Sequence, residues 1–301
     1  MKSTILKFRK NRRKVNSNKS FQLFNAPFIR LVKVLSILCV AILFANCSSV
    51  PLTGRKQLSL VSDAELTQSS LTSYAQLKDS LKLSTDKANT ALVQRVGNNI
   101  RLAVEKTLKA NGMESSIQGF QWEYNLFKVT EANAFAMPGG KIAVYEGILP
   151  KTMNEAGMAV VLGHEISHVI AKHSAERLSQ QVMAQYGGSI LGAAIGNKSA
   201  AVQQGIGMLY GIGVQTAVLL PYSRKQEYEA DQMGLIFMAV AGYNPNEAIA
   251  FWGRMSADKS QSIMQFMSTH PSDENRIAKL KEMLPEAMKY YKTGAVPMWK
   301  K

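Results

Sequence analysis

Four histidines occur in the 301 residues: His164, His168, His173 and His270. Three of them fall in one short stretch, Gly163-His164-Glu165-Ile166-Ser167-His168-Val169-Ile170-Ala171-Lys172-His173. A spacing of four places His164 and His168 on one face of a helix. Two neutral imidazoles on one face can hold Zn²⁺, and Glu165 beside them can take a proton from water on that metal. Val160, Val161, Leu162, Ile166, Val169 and Ile170 make the rest of the helix apolar. Such a helix is buried, and two His and a Glu inside it need a chemical reason.

A catalytic zinc site takes a third protein ligand and leaves one position open. The candidate lies in Tyr222-Ser-Arg-Lys-Gln-Glu227-Tyr-Glu-Ala-Asp231-Gln-Met-Gly234. Glu227 is placed to bind the metal. Asp231, four residues on, is placed to accept a hydrogen bond from the distal nitrogen of a ligand His. Glu229 lies about 200° from Glu227 around the helix and points elsewhere. An acidic cluster alone is more often a solvated helix face, but the apolar continuation Leu235 to Val240 favours burial.

These side chains need elements to position them. A helix is expected over about 154–173, capped by Asn154, and another over about 222–241. Ser62-Asp-Ala-Glu65 has capping-box spacing and starts a helix near 63. Leu92, Val93, Val96, Ile100, Val104 and Leu108 recur at helical spacing over 87–110, which Asn111-Gly112 ends. Further helices are expected near 174–186, 245–256 and 273–283. Residues 120–127 alternate and are aromatic, and 133–137 and 142–145 are joined across Pro138-Gly139-Gly140, so both regions read as strands. The fold class is therefore α+β and mostly helical, with a small antiparallel sheet of about three strands. Residues 187–213 hold eight Gly among apolar residues. They read as a helix and loop packed closely on neighbours; a lid or membrane-facing segment is the alternative.

His164-Glu165-x-x-His168 with Glu227-x-x-x-Asp231 resembles the gluzincin peptidases of the HtpX, LoiP, BepA and Oma type, related to CAAX prenyl proteases. Asn133-Ala-Phe-Ala-Met-Pro-Gly-Gly-Lys141, Pro221-Tyr-Ser-Arg-Lys-Gln-Glu227 and Thr269-His-Pro-Ser-x-x-x-Arg276 extend the likeness over roughly 50–285. Val50-Pro-Leu-Thr-Gly-Arg55 is similar to lipoprotein members. The resemblance implies a zincin-like catalytic domain with one zinc on His164, His168 and Glu227. It implies Glu165 as general base and Asp231 as the group that orients a ligand His. The strand carrying Asn133, Ala134, Phe135 and Ala136 would be the edge on which substrate lies. His270 and Arg276 would approach the site and stabilise the oxyanion. In some members the residue matching His270 instead caps the metal and holds the enzyme latent. His173 has no role by resemblance and is expected to be an ordinary surface or core residue.

The charge is uneven. Lys plus Arg is 36 against 21 Asp plus Glu, a net of +15. Ten of the basic residues lie in 1–46, where no acid occurs, so the remainder carries 26 − 21 = +5. An apolar run over 34–45 rises only about 18 Å as helix, short of a bilayer core of roughly 30 Å. A basic stretch, a short apolar run and small residues form an export signal. The run into Cys47-Ser-Ser resembles a bacterial lipoprotein signal in which Cys47 is lipidated; an uncut anchor is the alternative. Of the two Cys, Cys39 would leave with the signal, so no disulfide is expected.

The expected organisation is a signal peptide over 1–46, an extended lead-in over 47–61, one metallopeptidase domain over 62–290 and a tail over 291–301. The expected function is a zinc endopeptidase of the bacterial cell envelope in protein quality control. Its substrates would be unfolded or misassembled envelope proteins, and a lipid would tie it to the membrane, preferentially the outer one, on the periplasmic side. Nucleic acid is not an expected partner, because the basic stretch serves export. The alternative is a latent or weakly active assembly factor that binds clients along the 133–137 edge.

Overall fold

The computed structural model describes residues 47–186, 223–271 and 275–299. The expected export signal over 1–46 and the Gly-rich stretch over 187–213 lie outside the described residues. The chain divides between Asn46 and Cys47 into two units, and everything described below belongs to the second.

The lead-in is more ordered than an extended segment. Strands β1 (Cys47–Ser49) and β2 (Lys56–Leu58) pair antiparallel. The turn between them buries Val50 and Leu52 in the main core. Helix α1 (Asp63–Ser80) begins where Ser62 Oγ accepts the Glu65 amide, as its spacing predicts. Helix α2 (Lys87–Ala110) is capped by Asp86 and ends at Asn111-Gly112. Its buried stripe of Val93, Val96, Ile100, Val104 and Leu108 follows the helical period.

Three strands follow: β3 (Glu123–Phe127), β4 (Ala134–Met137) and β5 (Lys141–Tyr145). Their order is β3-β5-β4. The β4–β5 pair is the expected antiparallel hairpin, but β3 pairs with β5 in parallel, so the sheet is mixed. The cause is the path of residues 128–133. They cross the end of β5, where Gly147 donates to the Val129 carbonyl and Tyr145 to the Asn133 carbonyl. The chain thus reaches the far side of β5 before turning back. Alternation then divides the strands. Tyr124, Leu126, Ala134, Ala136, Ile142 and Val144 join the main core, while Phe135, Met137 and Ala143 join a smaller one under α1.

After a short helix, α3 (Leu149–Thr152), helix α4 (Glu155–Ile170) starts at Asn154, whose Oδ1 accepts the Gly157 amide at 2.9 Å. It ends three residues earlier than the apolar pattern suggests. Lys172 adopts φ +58°, and α5 (His173–Tyr186) sets off afresh. Helix α6 (Arg224–Val240) opens on a reciprocal capping box between Ser223 and Gln226. Helix α7 (Glu247–Ala257) follows Gly242 and Pro245. Helix α8 (Gln261–Thr269) was not expected, and α9 (Arg276–Thr293) is ten residues longer than its predicted end at 283. The residues after α9 return to α2, where Trp299 donates to Asn111 Oδ1. Among the described residues no helix is long and apolar enough to cross a membrane.

Helices α4 and α6 cross backbone to backbone. A Cβ on Gly163 would stand 3.0 Å from the Gly234 carbonyl oxygen, and one on Gly234 would stand 3.0 Å from the His164 nitrogen. Two glycines at this crossing let the helix carrying His164 and His168 lie directly on the helix carrying Glu227 and Asp231.

Candidate metal centre

The crossing gathers four donors. His164 and His168 come from α4, Glu227 from the first turn of α6, and His270 from the residue that ends α8. All four are buried, and one ligand atom from each lies within 4.8 Å of the others. His164 Nε2 stands 3.1 Å from His168 Nε2 and 3.3 Å from His270 Nδ1. Glu227 places Oε2 3.4 Å from His164 Nε2, and Oε1 3.4 Å from His168 Nε2 and 3.3 Å from His270 Nδ1. Ligands about 2.0–2.1 Å from a tetrahedral zinc are separated by about 3.4 Å.

The proton inventory also fits a cation. His164 Nδ1 donates to Asp231 Oδ1 at 2.9 Å, so in the neutral ring Nε2 presents a lone pair. His168 Nδ1 lies 2.8 Å from His173 Nδ1, and with its proton there His168 Nε2 presents a second lone pair. Two lone pairs then face each other beside Glu227 Oε1, a buried oxygen with no hydrogen-bond donor. Such a cluster is costly unless a positive charge, a second proton on His164 or a metal ion, stands among the three.

Arg276 is placed differently from expectation. Its guanidinium is buried and lies 3.3 Å over the Trp252 ring. Nε and one terminal nitrogen donate to the two Asp231 oxygens, both at 2.8 Å, and the other terminal nitrogen donates to Glu227 Oε2 at 3.0 Å. These carboxylates occupy the guanidinium where the resemblance had placed an oxyanion. Asp231 is thereby held between Arg276 and His164.

Strand β4 is an edge of its sheet, packs along α4 and is buried throughout. Asn133 precedes it and accepts the Ala134 amide on its own Oδ1. Ala134 and Ala136 face the main core and Phe135 the smaller one. The Ala136 amide donates to Glu165, so the edge runs past that carboxylate. Glu165 Oε1 is buried without a hydrogen-bond donor and stands 3.4 Å from His270 Nε2. Strand β1 begins at Cys47, the expected lipidation point.

The electrostatics divide the acids by role. Burial pushes the Glu165 carboxyl above its ordinary range, with opposition from His270 and His164. Burial also works against ionised Glu227, but the charges of His270 and Arg276 hold it well below the usual range. Asp231 is likewise kept low against burial by Arg276. On His164, burial opposes charge, yet Asp231 and Glu227 raise the imidazole to about 9, so unless a metal takes Nε2 a proton there supplies the positive charge the cluster calls for. Burial drives His168 the other way, well below its ordinary value.

His173 is the residue that sequence patterns missed. In an unbroken helix it would sit about 140° from His168. The break at Lys172 turns it inward, fully buried, to join His168 to Glu229. Glu229 does point away from Glu227, as its helical angle predicts, but it joins the site through His173.

The sequence of this chain matches peptidase family M48 over residues 97–284. The chain is 39% identical to the mitochondrial metalloendopeptidase OMA1 of Schizosaccharomyces pombe over 188 residues, 62% of this chain and 53% of that protein. It is 30% identical to the protein of that name in Saccharomyces cerevisiae over 270 residues, 84% of this chain and 75% of that protein. It is 28% identical to the beta-barrel assembly-enhancing protease of Escherichia coli K12, over 82% of this chain and 50% of that protein. The chain thus spans about half the length of two of these three relatives. All four donors, with Glu165, Asp231 and Arg276, lie inside the matched stretch, and the chain belongs to peptidase family M48.

Proposed function

We propose that the chain is a zinc metalloendopeptidase, with one zinc held by His164, His168 and Glu227. The observation that carries this reading is the buried set of four donors at tetrahedral spacing beside Glu165. A zinc ion there would supply Lewis acidity toward a peptide carbonyl and acidify water. Glu165 Oε1 takes the proton of the attacking water and returns it to the leaving nitrogen. Burial favours its protonated form, which suits a group that must both accept and donate. Asp231 and Arg276 keep His164 in the tautomer that offers Nε2. Substrate lies along Asn133–Ala136 as an added strand, which recognises backbone more than side chains and suits unfolded clients.

The export signal and Cys47 support a lipid-anchored protein on the periplasmic face of a bacterial envelope, with the outer membrane preferred. The name of the E. coli relative supports clients from envelope assembly, and a role in quality control follows. Nucleic acid has no part in this reading.

A second reading, a latent or weakly active assembly factor, is favoured by His270. Its Nδ1 lies among the metal donors, in the place a substrate carbonyl or water needs. In that reading His270→Ala raises turnover. Withdrawn from that place, His270 faces the reacting carbonyl as an oxyanion donor, and His270→Ala then lowers turnover instead. The test of the main reading is zinc content and casein cleavage of wild type and Glu165→Gln. The variant retains one zinc and loses about 10²–10⁴-fold in rate; equal cleavage by both proteins contradicts it.

A further inference from the structure

Beyond the zinc donors, a second buried polar chain leads away from His168. His173 Nε2 lies 2.9 Å from Glu229 Oε2. Glu229 also accepts from Arg55 Nε at 2.7 Å and from the Thr53 hydroxyl on its other oxygen. The two terminal nitrogens of Arg55 grip Glu176 of α5, each at 2.8 Å. Glu176 in turn accepts from Gln226 of α6 at 2.8 Å. One arginine therefore ties α5 to α6 around His173, and it comes from neither helix. Thr53 and Arg55 both sit in the turn between β1 and β2, before residue 97 where the family match begins.

Each proton in this chain has one assignment once Nε2 of His168 is reserved for a metal. His168 Nδ1–H donates to His173 Nδ1. His173 Nε2–H donates to Glu229, and Glu229 stays ionised between Arg55 and Thr53. The relay fixes both the tautomer and the ring plane of His168, as a carboxylate does directly for many ligand histidines.

We infer that His173, Glu229 and Arg55 are positioning residues for the metal ligand His168, so that the hairpin following Cys47 is a working part of the metal centre. The inference rests on zinc being bound at His164, His168 and Glu227. Loss of such a support costs about 10–100-fold in metal affinity.

The test uses the full chain and zinc itself. Affinity is measured by competition with a chromophoric chelator, and ligand geometry by the absorption spectrum of the cobalt(II)-substituted protein. Arg55→Met, His173→Phe and Glu229→Gln are each expected to weaken zinc binding about 10–100-fold and to alter the cobalt spectrum. Arg55→Lys, which keeps one charge on Glu229, is expected to recover part of the loss. The rise in Tm on adding zinc separates metal binding from fold stability, because it follows affinity rather than the starting Tm. Should Arg55→Met fail to fold, Thr53→Val removes one hydrogen bond to Glu229, and a few-fold loss of affinity is expected. Variants that fold and bind zinc within twofold of wild type, with an unchanged cobalt spectrum, overturn this inference alone. A wild-type chain that takes up no zinc overturns the metal reading and this inference with it.

Discussion

His164 leans directly on a carboxylate, whereas His168 leans on a second imidazole. The first support is short: Asp231 from α6, locked by Arg276 from α9, all within the stretch shared with the family. The second is longer and runs from His173 through Glu229, both inside that stretch, to Arg55 and Thr53, which lie before it. Both reach the same end, an Nδ1 proton committed to an acceptor and an Nε2 lone pair left for a metal. The difference is in what each support depends on. His164 is set by two helices that build the main core. His168 is set by a helix break and a hairpin next to the expected lipid anchor.

Substitutions should separate the two supports by size of effect. The largest loss is expected from Arg276→Met, which leaves Asp231 and Glu227 buried without their shared cation. Removing one partner of a buried ion pair costs about 3–5 kcal/mol, measurable by urea unfolding. Arg55→Met should cost less, about 1–3 kcal/mol, since Glu229 keeps its bonds to His173 and Thr53, and Glu176, which loses both Arg55 bonds, keeps Gln226 and is less deeply buried than the Arg276 carboxylates. The reverse order would break the comparison, because the hairpin would then be the stronger support.

Gly234→Ala tests the crossing on which both supports stand. Its Cβ would meet backbone atoms of Gly163 and His164 at 3.0 Å, so the helices must part. Overpacking of this kind costs about 1–3 kcal/mol. Because both ligand histidines ride on α4, zinc affinity should fall with it. Unchanged unfolding and zinc binding would show that the helices do not meet at these glycines.

The smallest effect serves as a control far from the metal. Burial works against the charge of Glu123, but hydrogen bonds from Lys78, Lys141 and Asn125 hold its carboxyl down to about 2, from an ordinary 4.5. A depressed carboxyl contributes stability that is present above about pH 4.5 and lost as pH falls toward 2. The contribution is on the order of 1 kcal/mol after solvent screening. Wild type and Glu123→Gln should therefore differ in unfolding free energy near pH 6 and converge near pH 2, with equal zinc affinity. A constant gap across that range would rule out the assignment.

The contrast between the supports also marks what sequence could disclose. The His164–His168 and Glu227–Asp231 pairs could be picked out because each sits four apart on a helix, with Glu165 beside the first, and helices announce themselves by apolar period and by caps such as Asn154. His173 was not, since its position depends on one residue, Lys172, taking a left-handed conformation that nothing in its type requires. Arg276 was recognisable as part of the site but not in its task, because its direction depends on how α9 packs on α6. The parallel pairing of β3 with β5 and the short helix α8 were hidden for related reasons. Strand partners are chosen by tertiary path, and α8 begins at Ser260 without a side-chain cap bond.

The most direct measurement is the paired determination of bound zinc and casein cleavage in wild type and Glu165→Gln. One zinc per chain is expected in both, with cleavage by wild type alone. Cleavage at equal rates by both proteins, or a wild-type chain that binds no zinc, would contradict it.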